Sequence, residues 1–299
     1  MASPILVLKS GRDRWTSSEV YPAKGVHQPW CAKRLAPELA ALPWQRFTLK
    51  ADQEPAILAL KADAVRIVQS VTGKEVVLEE SPVCDSQSNG VAEGAVKDIK
   101  GVVRSLRWAL EELHGVKIEV SSPVLPWLVR QAGSRITRAR RGADGRTAFE
   151  LRRGKAYRRR LPPFGEKVMY LAAGKQKSRL LDRWHEGLFL GVQDLSDEVV
   201  IGMRDGVVKA RTIKRLDGVQ RSDGDMLKTM RGLPWEPVPG DVDGELVVAI
   251  ERRVPPVRVV ADPVVATADQ PPAASGKVLM RRHFYVKEKD IAKYGDTVG

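Results

Sequence analysis

The spacing of apolar residues predicts alternating strands and helices along about the first 134 residues. Ile5 to Leu8 and Glu19 to Tyr21 have the composition of short strands, and the turn-forming residues between them favour a hairpin. The pattern further predicts a helix from Pro29 to about Leu42, a strand from Arg46 to Lys50, a helix from Glu54 to Gln69 and a strand from Lys74 to Leu78. Strands that alternate with helices indicate an α/β unit.

A long amphipathic helix is expected behind a polar loop that ends at Gly90. Its apolar residues follow the three-and-four spacing of a helix face packed on a core: Ile99, Val102, Val103, Leu106, Leu110 and Leu113. Gly115 is expected to end this helix, and a further helix is predicted from Val124 to about Arg138. These two helices complete the α/β unit.

The pattern changes to short apolar strands after residue 160. The predicted strands are Lys167 to Tyr170, Gly187 to Val192, Glu198 to Met203 and Val207 to Ile213, and Gly or Asp turns separate them. Strands of this length and spacing predict a small β-barrel. From Pro237 to Ser275, proline, valine and acidic residues show no period, which is typical of an extended or disordered linker, and Arg281 to Tyr294 is predicted to form a short helix.

Five regions follow from these patterns. We predict an α/β core over residues 1–134, a basic connector over 135–160, a β-barrel over 161–217, a linker over 218–276 and a short C-terminal segment over 277–299.

Composition narrows the class of protein. The chain has 299 residues, of which 43% are hydrophobic, so it can bury the cores of one large or two small domains. Its two cysteines, Cys31 and Cys84, are too few for a disulfide framework or a four-cysteine zinc site, which favours an intracellular setting. No apolar run approaches the roughly 20 residues of a membrane span, so neither membrane insertion nor secretion is expected.

The positive charge is concentrated in the basic connector. The net charge is +13, and residues 135–160 contain 11 Lys and Arg against 2 Asp and Glu. Arginine suits bidentate contact with phosphate, so a polyanion, and nucleic acid in particular, is the expected partner. The alternative is a solvated basic linker without a specific ligand.

Two acidic residues are candidates for catalysis. Asp52 falls at the carboxyl end of a predicted strand, where sites often lie, although it could instead be an N-cap for the next helix. Glu93 falls in the first turns of the long helix, and four basic residues follow it on the same helix face: Lys97, Lys100, Arg104 and Arg107. The structural alternative is that Glu93 simply pairs with Lys97.

In their order and spacing, these positions resemble the catalytic core of retroviral and retrotransposon integrases, especially those of copia-like elements. The resemblance lies in Lys50-Ala51-Asp52 and in Ser86-Gln87-Ser88-Asn89-Gly90-Val91-Ala92-Glu93. It continues through residues 142–150 and 163–165 into Arg183-Trp184-His185-Glu186-Gly187-Leu188-Phe189-Leu190-Gly191, and it covers roughly residues 4–216.

The resemblance implies an α/β fold class: an RNase H-like core, here without its first strand, followed by a small SH3-like β-barrel and a disordered tail. It implies that Asp52 and Glu93 are catalytic residues that bind Mg²⁺ or Mn²⁺, and that the activity is 3′-end processing and strand transfer on DNA by a nuclear homo-oligomer. The residues expected to contact nucleic acid are Gln87, Asn89, Lys97, Lys100, Arg104, Arg107, Arg138, Arg140, Arg141, Arg152, Arg153, Arg158, Arg159 and Arg160.

One departure from the family limits the expected activity. Integrases use three carboxylates, and the first belongs to a strand that would precede Met1; Asp13 lies in a turn, which is a poor place for a rigid ligand. We therefore expect an N-terminally truncated integrase that binds DNA but joins strands poorly or not at all. Three alternatives stay open: a non-enzymatic nucleic-acid-binding protein from a decayed element, a nuclease for RNA–DNA hybrids, and a basic scaffold for an acidic protein.

Overall fold

Helices and strands alternate along the chain largely as the apolar spacing predicts. The computed structural model describes residues 3–24, 29–81, 90–171 and 183–240. The strands are β1 (Ile5–Lys9), β2 (Thr16–Val20), β3 (Arg46–Ala51), β4 (Glu75–Glu80), β5 (Lys167–Leu171), β6 (Trp184–Val192), β7 (Val199–Met203), β8 (Gly206–Ala210) and β9 (Ile213–Arg215). The helices are α1 (Pro29–Ala40), α2 (Pro55–Thr72), α3 (Gly90–His114), α4 (Val124–Ala139), α5 (Ala148–Arg153) and α6 (Gly224–Thr229), and a 3-10 turn spans Gly218–Arg221.

The predicted hairpin is present, but its second strand begins earlier than expected. β1 and β2 pair antiparallel, with Lys9 opposite Thr16. The prediction that this strand begins at Glu19 was wrong because Thr16 and Ser18, although polar, are buried. The backbone N–H of Thr16 donates to the hydroxyl of Thr137 at 2.9 Å, and that hydroxyl donates to the carbonyl of Thr16 at 2.8 Å. Helix α4 therefore covers the edge of β2 that faces away from β1.

Strands β3 and β4 form a parallel pair connected by α2. Phe47 lies opposite Val76, and Ala51 lies opposite Glu80. Helices α1 and α2 cover the pair with a core that includes Leu35, Leu39, Leu49, Leu60 and Val68. Because the strands are parallel, their carboxyl ends meet at one edge of this small sheet, directly before Asp52.

The two small sheets remain separate in the part of the chain that is described. β1 and β2 form one two-stranded sheet and β3 and β4 form another, and no described strand hydrogen-bonds to both. The mixed α/β class is as predicted, whereas these residues do not form the single continuous sheet of an RNase H-like core.

Helices α3 and α4 have the predicted boundaries within one or two residues. Ile99 and Leu110 of α3 are buried, and the other residues of the predicted apolar stripe are partly buried. Gly115, with a φ of 62°, follows the last residue of α3, a backbone conformation that favours glycine. The stripe on α3 packs against α4, as the spacing indicates.

The C-terminal strands form an open antiparallel sheet. Its order is β8-β7-β6-β5-β9, and no pairing between β8 and β9 closes it among the described residues. The predicted strand from Val207 to Ile213 is two strands, because the chain leaves β7 after Ala210 and pairs with β5 from Ile213. The five-stranded sheet thus confirms the antiparallel strands but not their closure into a barrel.

The C-terminal sheet and the helices share a core. Trp127 and Leu128 of α4 pack with Leu188 and Leu190 of β6 and with the buried Met230. The indole N–H of Trp127 also donates to the carbonyl of Gly232 at 2.9 Å. Residues 218–240, predicted as linker, are therefore folded against the sheet, whereas the rest of that linker and the predicted helix Arg281 to Tyr294 lie outside the described residues.

One further feature concerns membranes. None of the described helices is long and apolar enough to cross a membrane.

Candidate nucleic-acid interface

Asp52 lies at the carboxyl edge of the parallel pair, as predicted. It is exposed, and it follows Ala51, whose carbonyl accepts a hydrogen bond from the backbone N–H of Ser81 at 3.0 Å. The N-cap of α2 is Glu54, not Asp52, and Pro55 is the first helical residue. The alternative interpretation of Asp52 as a helix cap is therefore wrong, and its position at a strand end stands.

Glu93 is an exposed residue in the first turn of α3. Within the described ranges it forms no ion pair, so the proposed pairing with Lys97 is not observed. The loop that precedes α3, with Gln87 and Asn89, lies outside the described residues. Whether Asp52 and Glu93 share a cation pocket stays a prediction.

The described carboxylates do not by themselves form a complete metal site. No group of three or more His, Cys, Asp or Glu side chains among the described residues could hold a metal. Asp13 is 5% exposed, and its carboxylate accepts hydrogen bonds from Arg152 at 2.6 and 3.1 Å. Burial alone would raise the pKa of Asp13, but hydrogen bonds from Arg152 and Ser10 hold it below its usual value. Mg²⁺ or Mn²⁺ binding therefore stays a prediction, and we derive no catalytic step from it.

Three of the four predicted basic residues form an exposed face on α3. Lys97, Lys100 and Arg104 point away from the buried Ile99 and Leu110, and they have no ion-pair partner in the described part of the chain. The spacing of three and four residues places them in one row along the helix. We call these three residues the cationic face of α3.

Arg107 lies on the same side of α3 but, unlike these three residues, it is paired. Its guanidinium pairs with Glu111 at 3.1 Å and donates to the carbonyl of Ile118. Hydrogen bonds from Lys117, from the backbone of Ile118 and from Arg107 lower the pKa of Glu111 to about 2. The donors of Arg107 therefore hold the turn that follows α3, and the expected contact of Arg107 with DNA stays a prediction.

Trp108 was missed by sequence reasoning. It is 66% exposed and lies one turn after Arg104 on the same helix. The sequence contained a signal for this exposure. Residue 108 falls between Leu106 and Leu110 but outside the three-and-four spacing of the apolar stripe, so its side chain is expected to face away from the core.

Two arginines of the basic connector are buried and cannot reach DNA. Arg138, whose side chain is 6% exposed, pairs with Asp194 at 2.8 Å and lies over the ring of Tyr157. Arg152, whose side chain is 7% exposed, pairs with Asp13 and lies 4.1 Å from the ring centroid of Trp15. The prediction that Arg138 and Arg152 bind nucleic acid is therefore wrong.

Other connector arginines also contact the fold. Arg140 pairs with Asp98 of α3, and Arg159 pairs with Asp197 at 3.2 Å. Arg141 donates to the carbonyl of Gly145 at 2.6 Å, and Arg153 donates to the carbonyl of Asp194 at 3.2 Å. The connector is thus neither a solvated linker nor a continuous row of free cations.

Three connector arginines remain exposed without an ion-pair partner among the described residues. They are Arg135, Arg158 and Arg160. Of these, Arg158 and Arg160 were predicted to contact nucleic acid, and both remain available for that role.

Two integrase-related structures are similar to this chain. No protein-family model matches it, and no curated protein does. It is similar to the catalytic core domain of BIV integrase, with 17% identity, a TM-score of 0.36 and coverage of 50% of this chain and 85% of that one. It is also similar to a simian T-cell lymphotropic virus intasome in complex with PP2A regulatory subunit B56 gamma, with 12% identity, a TM-score of 0.36 and coverage of 72% of each chain. At these identities and TM-scores, the likeness assigns no function to this chain.

Proposed function

We propose that this protein is an integrase-related DNA-binding protein that contacts the DNA backbone through the cationic face of α3. The observation that carries the proposal is the contrast between two groups of basic residues. Lys97, Lys100 and Arg104 are exposed and unpaired within the described ranges, whereas Arg138 and Arg152 are buried in ion pairs. Free cations in a row along a rigid helix can each neutralise a phosphate and release its counterions.

The mode of binding follows from the chemistry of these side chains. Lys and Arg contacts to phosphate fix the position of a duplex but do not read its sequence. We therefore propose sequence-tolerant binding, which suits the integrase family that the sequence resembles.

Charge substitutions test this proposal. Replacing Lys97, Lys100 and Arg104 together by Gln removes three phosphate contacts, so the slope of log Kd against log salt should fall by about 2 to 3 for duplex DNA. Fluorescence anisotropy over a range of salt concentrations measures that slope. The matched control replaces the exposed Arg204, Lys228 and Arg231 by Gln and removes the same net charge from another surface. Equal losses of affinity in both variants would contradict a localised interface.

The proposal also covers the origin of the chain, the fold of its C-terminal sheet, its location and its oligomeric state. We propose an origin in a copia-like element on the quoted motifs, and an SH3-like fold for residues 161–217, which the order β8-β7-β6-β5-β9 supports. We also propose that the protein acts in the nucleus and as a homo-oligomer.

A non-enzymatic nucleic-acid-binding protein is the second candidate. Asp13 and Glu19 are the acidic residues of the hairpin, and both are buried in ion pairs with arginine. Carboxylates held in this way stabilise the fold and are not available as metal ligands, which favours binding without catalysis.

A further inference from the structure

Trp108 is exposed in a chain that buries other indole rings. Trp15, Trp30 and Trp127 are at most 7% exposed, whereas Trp108 is 66% exposed. It lies in α3, a long helix whose opposite face supplies core residues. A large aromatic ring held in water by a rigid helix is available for contact with a partner.

The charges around Trp108 indicate the chemistry of that partner. Lys97, Lys100 and Arg104 precede it by eleven, eight and four residues, so the three cations and the ring lie along one side of the helix. At a rise of about 1.5 Å per residue, the row is about 16 Å long. Glu93 precedes the row and Glu112 lies one turn beyond Trp108, so acidic residues border the cationic stretch at both ends.

We propose that this side of α3 binds a single-stranded segment of DNA, with Lys97, Lys100 and Arg104 on its phosphates and Trp108 stacked on an unpaired base. The inference rests on the proposed function and adds a substrate class to it. In a duplex, both faces of an internal base are covered by its neighbours, whereas an unpaired base presents a free face to an aromatic ring. Stacking does not select a base, in agreement with sequence-tolerant binding.

The same charges argue against a second copy of the chain as the occupant. A copy that covered Trp108 with its own α3 would bring another set of the same three cations against this one, and like charges repel. A strand of nucleic acid supplies negative charge along the whole row. Charge complementarity therefore favours single-stranded DNA.

The experiment compares two DNA probes and three variants of the full chain. One probe is a blunt duplex, and the other is the same duplex with a single-stranded tail of about ten nucleotides, within the site sizes of such surfaces. The variants are Trp108→Ala, Trp108→Phe and the control Val219→Ala, which truncates another exposed apolar side chain. Anisotropy measures both affinities, and quenching of tryptophan emission reports contact between an indole ring and the tail.

We expect Trp108→Ala to weaken binding of the tailed probe about tenfold, or about 1.4 kcal/mol, and binding of the blunt probe less than twofold. Trp108→Phe should retain most of the affinity, because its ring still stacks. Val219→Ala should change neither of the two affinities. The quenching of tryptophan emission that the tail causes should be smaller in Trp108→Ala than in the natural chain.

Three outcomes would overturn the inference. If Trp108→Ala weakens both probes equally or neither, the stacking role is wrong, while duplex binding that depends on the cationic face keeps the proposed function. If the natural chain binds neither probe, the proposed function fails as well. If Trp108→Ala alters only the oligomeric state in size-exclusion chromatography, the ring covers a second copy instead.

Discussion

Arginines of similar sequence context differ in what their guanidinium groups contact. Arg152 and Arg158 belong to the same basic connector, yet Arg152 is buried against Asp13 and Trp15 whereas Arg158 is exposed. The partners of Arg152 lie about 140 residues away along the chain. Formal charge in a sequence therefore indicates the class of partner to expect, but not which cations remain free for it.

Loss of the Arg152 ion pair should destabilise the fold. Arg152→Gln leaves the carboxylate of Asp13 buried without its cation, and we expect the free energy of unfolding to fall by about 3 kcal/mol. Arg158→Gln removes the same charge from an exposed position and should change that free energy by less than about 0.5 kcal/mol. Equilibrium unfolding in urea measures both. Similar stabilities of the two variants would show that the buried pair contributes nothing.

Local patterns predicted most elements, and long-range contacts explain the exceptions. The apolar stripe of α3 and the strands β3 and β4 follow from spacing within one segment. The start of β2 did not, because Thr16 is buried only through its hydrogen bonds to Thr137. The strand-end position of Asp52 could be predicted because it depends on the local pattern alone. The contacts of Arg107 with the turn after α3 could not be predicted, because they depend on how the chain folds.

The contact between α4 and β2 depends on a glycine. A Cβ added at Gly133 would lie 2.7 Å from the backbone nitrogen of Ser18, so the helix would have to move away from the strand. We expect Gly133→Ala to lower the free energy of unfolding by about 1 to 3 kcal/mol, the usual cost of overpacking. The measurement is again equilibrium unfolding.

Gly101 provides the matched control for this substitution. It lies within α3, and an added Cβ would have no atom within 4 Å apart from its chain neighbours and the backbone of its own helix. Gly101→Ala should stabilise the protein by about 0.5 to 1 kcal/mol, because alanine favours a helix more than glycine does. If both substitutions stabilise the protein, the close approach of α4 to β2 is wrong.

In the whole molecule, which has a net charge of +13, folding pairs some of the basic residues with carboxylates from other elements. Asp98, Asp194 and Asp197 pair with connector arginines, and Asp13 pairs with Arg152. The positive charge that remains unpaired among the described residues includes the cationic face of α3. The cations proposed to bind DNA are thus separate from the carboxylates that a metal ion would need.

This separation predicts DNA binding without efficient strand joining. Asp13 and Glu19 each hold arginines inside the fold, and releasing either carboxylate for a metal ion would leave buried cations without a partner. We expect the full chain to shift labelled DNA at low salt, yet to give no strand-transfer product above a protein-free blank with Mg²⁺ or Mn²⁺. A gel assay with labelled donor DNA measures both properties, and Glu93→Gln is the control because binding should survive it. Strand transfer by the natural chain that Glu93→Gln abolishes would instead establish Glu93 as catalytic and show that a complete metal site forms.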